Sequence, residues 1–237
     1  MGRFLWGVAA GVCLALVAFA VALFSLGRLA GRPPAVNPHS VLVIELNGGI
    51  PERPPVTVPL PYFEARAPLT VSEAWRLMRA AETDSRIRAV VFQPGQLDVG
   101  WGKLQELRQD LARLAGTGKP VVSLLRSPSL PAYYLATATQ KIHMLPEEWL
   151  NLKGLRAEVT YFGETLRKIG VEVEIEHAGR YKDFGDMFTR TSMSPETREV
   201  LSSILDELYD HLAQTVAGRI GMTPAEARSL LDQGPFL

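Results

Sequence analysis

The chain has 237 residues, enough for one domain of ordinary size with appendages, and its 47% hydrophobic content can fill a sizeable core, which excludes collagen-like and disordered architectures. Lys and Arg total 25 and Asp and Glu total 25, so no basic excess argues for nucleic acid, and none is expected as a partner. Cys13 is the sole cysteine, which excludes a disulfide framework and a cysteine-based zinc cluster.

From Phe4 to Leu26 the chain reads "FLWGVAAGVCLALVAFAVALFSL", 23 residues without a charge, flanked by Arg3 on one side and by Arg28 and Arg32 on the other. At a rise of about 1.5 Å per residue the run spans a hydrocarbon core of about 30 Å, and residues 1–31 are expected to form one transmembrane anchor. A cleaved signal peptide is the rival, with "AFA" at 18–20 as its cleavage site, but its apolar region needs only about 7 to 15 residues. The terminal amine and Arg3 roughly balance Arg28 and Arg32, so charge leaves the orientation open. Residues 32–40 read as a Pro-rich extended linker, and the soluble domain occupies 41–237.

"VLVIELNGGI", from Val41, is an aliphatic run ended by two glycines and predicts a strand covered on both faces. The Pro-rich "PERPPVTVPLPYFEARAPL" predicts an irregular excursion. From Thr70 the pattern alternates. "TVSEAWRLMRAAETD" is a helix, "IRAVVFQPG" a strand stopped by Pro94 and Gly95, "KLQELRQDLARLAGTG" a helix and "KPVVSLLRS" a strand. A helix at "PAYYLATATQ", a strand at "KIHML", a helix through "EVTYFGETLRKIG" and a strand at "VEVEIEHAG" follow. The last stretch predicts a long helix capped by Ser194, with Pro195 in its first turn and one apolar stripe through Leu201, Ile204, Leu205, Leu208, Leu212 and Val216. A shorter helix starts at Thr223. Strands alternating with helices indicate crossover units: the fold class is α/β, a layered parallel sheet flanked by helices.

No P-loop, dinucleotide fingerprint, "HExxH" or paired-cysteine motif is present, and no cofactor or metal is expected. His39, His143, His177 and His211 are scattered; His143 reads as a core residue of its strand and His211 as a surface residue. Adjacent Glu147 and Glu148 point to different sides and suit a solvated turn better than an acid/base pair. Lys182 stands between a strand and the long helix, where parallel sheets build sites. A lysine that loses its proton in a water-excluding pocket can activate a serine hydroxyl in place of histidine. The bland reading is a surface pairing of Lys182 with Asp183 or Asp186, which would keep the proton on.

"GRYKDFGDMFTRTSMSPETRE" resembles the lysine motif of the signal peptide peptidase A family, also called protease IV, and "DVGWGKLQELRQDLARLAGTGKPVV" is similar to its long tandem-repeat form. The resemblance covers the chain from about Ser40 onward. It implies a Clp protease or crotonase type of fold and a serine endopeptidase with a Ser-Lys dyad whose general base falls on Lys182. It implies a single-pass bacterial inner-membrane protein, with the soluble domain on the outer (periplasmic or extracytoplasmic) side, acting on signal peptide remnants or other peptides in contact with membrane lipid. Where the family's short form has a serine and two glycines, this chain has Leu130, Pro131 and Ala132, and the nearby Ser127 and Ser129 are shifted in register. The pattern resembles the amino-terminal half of the long form, so the chain is expected to be C-terminally truncated, its serine supplied by a further repeat or by homo-oligomer subunits. The alternative is a noncatalytic anchored module of the same fold that binds peptides or assembles partners.

Overall fold

The computed structural model describes residues 2–30, 36–54, 69–176 and 178–236. Two compact units result, Met1–Pro38 and His39–Leu237. In the first, helix α1 (Gly2–Ala30) occupies the stretch expected to span a membrane. Its side chains are described without a break only from 11 to 22. Among the described residues no helix is long and apolar enough to cross a membrane, so the transmembrane expectation is not met within them. Part of the linker, most of the Pro-rich excursion and His177 lie outside the described residues.

The second unit is built on a four-stranded parallel sheet of order β1-β2-β3-β4, from β1 (Ser40–Gly48), β2 (Ile87–Leu97), β3 (Val121–Leu125) and β4 (Lys141–Met144). The crossovers carry α2 (Val71–Thr83), α3 (Trp101–Ala115) and α4 (Leu130–Ala136). Parallel strands need such long connections, and the amphipathic period of each helix supplies a face to pack on the sheet. Helix α2 starts where Thr70 and Glu73 form a reciprocal capping box. Its Ala74, Met78 and Ala81 join Leu104, Leu107, Leu111 and Leu114 of α3 in one core with Ile44, Leu46, Val90, Phe92 and Val121 of the sheet.

That core lies on one side. In β1 the alternate residues Val41 and Val43 are 53% and 48% exposed, while Ile44 and Leu46 are buried. The partners of Val41 and Val43 in the neighbouring strand, Ala89 and Val91, are only partly buried and do not belong to the core. The expectation of a first strand covered on both faces is therefore corrected: β1 is an edge strand with one open face.

Strand β2 also departs from expectation by running through Pro94 and Gly95 to Leu97. Its pairing with β3 ends at Phe92 while pairing with β1 continues, so beyond Phe92 one edge is free and the missing proline N–H costs no bond there. A Cβ at Gly95 would lie 1.6 Å from Asn47 Oδ1, so any side chain there would have to displace the Asn47 amide.

After β4 regular structure thins. The helix expected through "EVTYFGETLRKIG" shortens to α5 (Gly163–Lys168), and "VEVEIEHAG" forms no strand over 171–176. Its alternation of valine or isoleucine with glutamate suits a half-buried strand, but no neighbouring strand offers a ladder, and Val171 and Ile175 remain exposed. His143, expected in the core, is exposed on β4. His211, expected at the surface, is partly buried and its Nε2 lies 2.8 Å from the hydroxyl of buried Tyr134.

Helix α7 (Pro195–Ile220) carries the predicted cap, since Ser194 Oγ accepts from Thr197 N, and Gly221 ends it with φ 73°. Helix α8 (Pro224–Leu231) follows a second capping box of Thr223 and Glu226. The apolar stripe of α7 is buried only toward its end, at Leu212, Ala213, Val216 and Ala217, whereas Ile204 is 49% exposed. Near the C-terminus Phe236 pairs with Leu150 in an isolated antiparallel bridge. Two substitutions test where the stripe is buried. Leu212→Ala should lower the unfolding free energy by about 3 kcal/mol and Ile204→Ala by less than about 1 kcal/mol, read from denaturant midpoints.

Candidate active site

Lys182 lies in the loop between the unpaired 171–176 segment and α6 (Asp186–Thr189). Three contacts fix this loop. The N–H of Phe162 donates to Met187 O at 2.7 Å, and the next residue, Gly163, passes so close that a Cβ would lie 2.6 Å from Arg190 O. Phe188 stacks on Phe162 at 6.5 Å and meets the edge of Phe184 at 6.2 Å.

The third contact ties the loop to α7. Thr197 Oγ1 donates to Asp183 Oδ2 at 2.6 Å, and Thr197 Oγ1 lies 2.6 Å from Ser194 Oγ. The single Thr197 hydroxyl hydrogen points at the carboxylate, so the Ser194 hydroxyl is the donor in the second bond. Ser194 and Thr197 are both buried. The residue next to Lys182 thus hangs from the start of a 26-residue helix, whose positive end favours a carboxylate.

The expected pairing of Lys182 with Asp183 or Asp186 does not occur. Asp183 is held by Thr197, and Asp186 lies 3.7 Å from Arg190 Nε. Lys182 is exposed, and among the described residues no ion pair engages its amine. Around it Arg180 Nε lies 3.4 Å from Glu196 Oε1 and covers the Tyr181 ring at 5.5 Å. The Glu196 carboxyl is held below the usual carboxylate range, first by its own backbone N–H at the helix start and further by Arg180, against partial burial.

Beside the lysine opens a cleft of about 330 Å³, walled by Val159, Phe184, Met187, Val200 and Leu201, with Tyr161, Asp183 and Asp186 as polar members. Burial first, then the negative charges of Asp186 and Asp183, push the Tyr161 phenol up. Such a hollow can take an apolar side chain or aromatic ring while its acidic members disfavour an anion. Neither this cleft nor the hydroxyl chain was foreseen from sequence. The "SPET" string signalled the cap, but which carboxylate the second hydroxyl meets is a matter of tertiary position.

The serines lie elsewhere. Ser129 caps α4 by position, but its Oγ makes no cap bond and is buried without a partner. Ser127 has φ 39°, and its N–H donates to the Glu148 carboxylate. No hydrogen bond joins either serine to Lys182 among the described residues. Leu130 and Pro131 open α4, and Ala132 is buried within it. Glu147 is exposed in a turn, as expected, whereas Glu148 is partly buried and engaged by the Ser127 N–H.

A parallel sheet with crossover helices and a lysine-bearing loop before a long capped helix defines an α/β protein. Residues 113–237 match the profile described as "Peptidase family S49", and the chain belongs to this family of serine peptidases, the signal peptide peptidase A family. It is 30% identical over 156 residues to the chloroplastic serine protease SPPA of Arabidopsis thaliana, covering 66% of this chain and 23% of that one. It is 24% identical over 216 residues to Protease 4 of Haemophilus influenzae, covering 87% of this chain and 35% of that one. The chain therefore spans about a quarter to a third of the length of these relatives. Among solved structures it is similar to the 1510-N membrane-bound stomatin-specific protease, in a serine-to-alanine mutant, at 15% identity and a TM-score of 0.40, covering 84% of this chain and 71% of that one. At that score the likeness carries no argument. Removing the cap should loosen the start of α7: Ser194→Ala is expected to cost about 1 kcal/mol in a denaturant titration, and Ser194→Asn to recover most of it.

Proposed function

We propose that this chain is the membrane-anchored, base-bearing part of a serine peptidase of the signal peptide peptidase type, with Lys182 as the general base of a Ser-Lys dyad. The serine comes from a second α/β repeat or from another subunit of an oligomer. The observation that carries this reading is the loop geometry: both neighbouring carboxylates are engaged away from the amine. A lysine meant for surface pairing has Asp183 and Asp186 just after it in the chain and pairs with neither.

In the assembled enzyme the docked lobe excludes water and the amine loses its proton. The neutral amine then accepts the proton of the serine hydroxyl as its oxygen attacks the peptide carbonyl. The same proton passes to the leaving amine as the scissile bond breaks, and an acyl-enzyme remains for water to hydrolyse. Signal peptide remnants or other peptides are the substrates. The helix at Gly2–Ala30, about 43 Å long at 1.5 Å per residue, serves as the anchor in membrane lipid, a single pass in the bacterial inner membrane with residues 41–237 on the periplasmic or extracytoplasmic side. These 41–237 residues form the peptidase-like domain and 32–40 its linker.

A second reading, a noncatalytic anchored module of the same fold, draws on the replacement of the nucleophile position by Leu130. The two part in one assay. The chain alone should not cleave a fluorogenic signal-peptide substrate. Mixed with a serine-bearing lobe of the same family it should cleave, and Lys182→Ala should lower that rate at least about a hundredfold. Cleavage that survives Lys182→Ala removes the base assignment, and no cleavage under any pairing favours the module.

A further inference from the structure

The Lys182 loop raises a narrow chemical question. An amine and the carboxylate of the next residue share one short exposed loop, yet the carboxylate lies on Thr197 Oγ1 at 2.6 Å. Thr197 is 6% exposed and Ser194 5%, so the hydroxyls that hold the carboxylate are buried. Their bonds run in one direction. The Ser194 hydroxyl donates to Thr197 Oγ1, the Thr197 hydroxyl donates to Asp183, and the Thr197 N–H returns to Ser194 Oγ at 3.1 Å. With its hydrogen spent on the carboxylate, the Thr197 hydroxyl can only accept from Ser194.

We infer that Thr197 is a positioning residue for Lys182: it holds the Asp183 carboxylate on the start of α7 and thereby keeps that charge off the neighbouring amine. The inference rests on the reading of Lys182 as a base, and it adds a specific device to it. A carboxylate within a few ångströms of an ammonium favours the charged form and works against a general base. The N-cap bond itself uses the Thr197 backbone N–H, while the Thr197 side chain accepts from the Ser194 hydroxyl and donates to Asp183. The side chain hydroxyl has one recorded donor bond, and it is to Asp183.

Asp186 lies beside Arg190 and Glu196 beside Arg180, Glu199 Oε2 accepts from the Tyr181 hydroxyl at a long 3.5 Å, and Asp183 is held by the Thr197 hydroxyl at 2.6 Å. That makes Thr197 the point at which one substitution releases one charge. Valine has nearly the shape of threonine and lacks the hydroxyl, whereas serine keeps the hydroxyl and lacks the methyl group.

The test uses the full chain and needs no turnover. Lys182 is acylated with acetic anhydride at a fixed pH near 8, and its rate is read by mass spectrometry relative to Lys153 in the same sample. Thr197→Val should slow Lys182 labelling about fivefold, because the freed carboxylate keeps the proton on the amine. Thr197→Ser should leave the rate unchanged, and Thr197→Val with Asp183→Asn should restore it. A structural loosening alone gives the opposite sign, since a more mobile amine labels faster. Equal or faster labelling in Thr197→Val overturns the inference. If Thr197→Val does not fold, Asp183→Asn alone decides: an unchanged rate supports a carboxylate already held away, and a severalfold rise shows that Asp183 sits on the amine in the native chain. Labelling fails or succeeds independently of the peptidase assay, so loss of the base assignment and loss of this device are told apart.

Discussion

The hydroxyl hydrogen of Thr197 decides where the Asp183 carboxylate rests, and the character of Lys182 follows from that placement. The competition is between two bonds of unequal worth. An exposed lysine-carboxylate pair contributes about 0.2–1 kcal/mol, because water solvates both ions well and ordering two side chains costs entropy. A hydrogen bond from a buried donor to a charged acceptor contributes about 1.5–3 kcal/mol, and leaving that donor unmet would cost a similar amount. The helix start adds to the second side of the balance. The carboxylate therefore goes to α7, and the amine is left facing solvent with its nearest acidic neighbours occupied.

An amine in water is a poor base, so the geometry of the loop explains only half of the chemistry. The other half concerns what covers it. The core of the second unit lies on one side of the sheet, and the side chains that escape it are numerous and apolar: Val41 and Val43 on β1, Val200 and Ile204 on the first half of α7, and Phe184 at 81% exposure next to the lysine. Phe184 and Val200 are also walls of the cleft beside Lys182. Scattered apolar residues at a surface need no explanation, but Phe184 and Val200 wall the cleft next to an exposed lysine, so the dielectric at the amine is set by whatever lies against that cleft. The fold thus separates two tasks. Fixing the lysine is done by α7 and the Phe162–Phe188 stack, and drying it is left undone among the described residues.

Local signals carried most of the fold. The helix starts at Thr70 and Thr223, the cap at Ser194, the 3.6-residue period of α2 and α3 and the aliphatic runs of β1 and β3 each involve neighbours in sequence, and each forms as read. The failures all involve distant partners. Alternation at 171–176 says which side chains would face a core but not that a second strand is there to bond with. His211 reads as a surface residue until α4 brings Tyr134 to it, and His143 reads as core until β4 proves to be an edge. Pro94 stops a strand only if both edges are paired. At the candidate site the cap was legible from "SPET", while the hydroxyl chain was not. A threonine three residues past a cap is commonplace, and only the fold puts an aspartate fourteen residues away within 2.6 Å of it.

The start of α4 lacks the groups that acyl transfer needs. Acyl transfer needs a hydroxyl within hydrogen-bond reach of a base and backbone N–H groups aimed at the developing oxyanion. Leu130 offers no hydroxyl, and Pro131 has no N–H, so one backbone donor of the first turn is missing by covalent structure. Ser129 does not compensate. Its Oγ is buried without a partner, and a hydroxyl in that state has no acceptor to take its proton as it attacks. The local costs agree with this view: proline in a first helical turn is favourable for the helix, and leucine there packs against the core. The sequence at α4 is tuned for packing, and the sequence at the Lys182 loop for holding an amine away from acids. Under the proposed reading the chain is one side of a divided centre, because a base can be completed by a hydroxyl brought from outside, whereas the first turn of α4 lacks a backbone donor at Pro131.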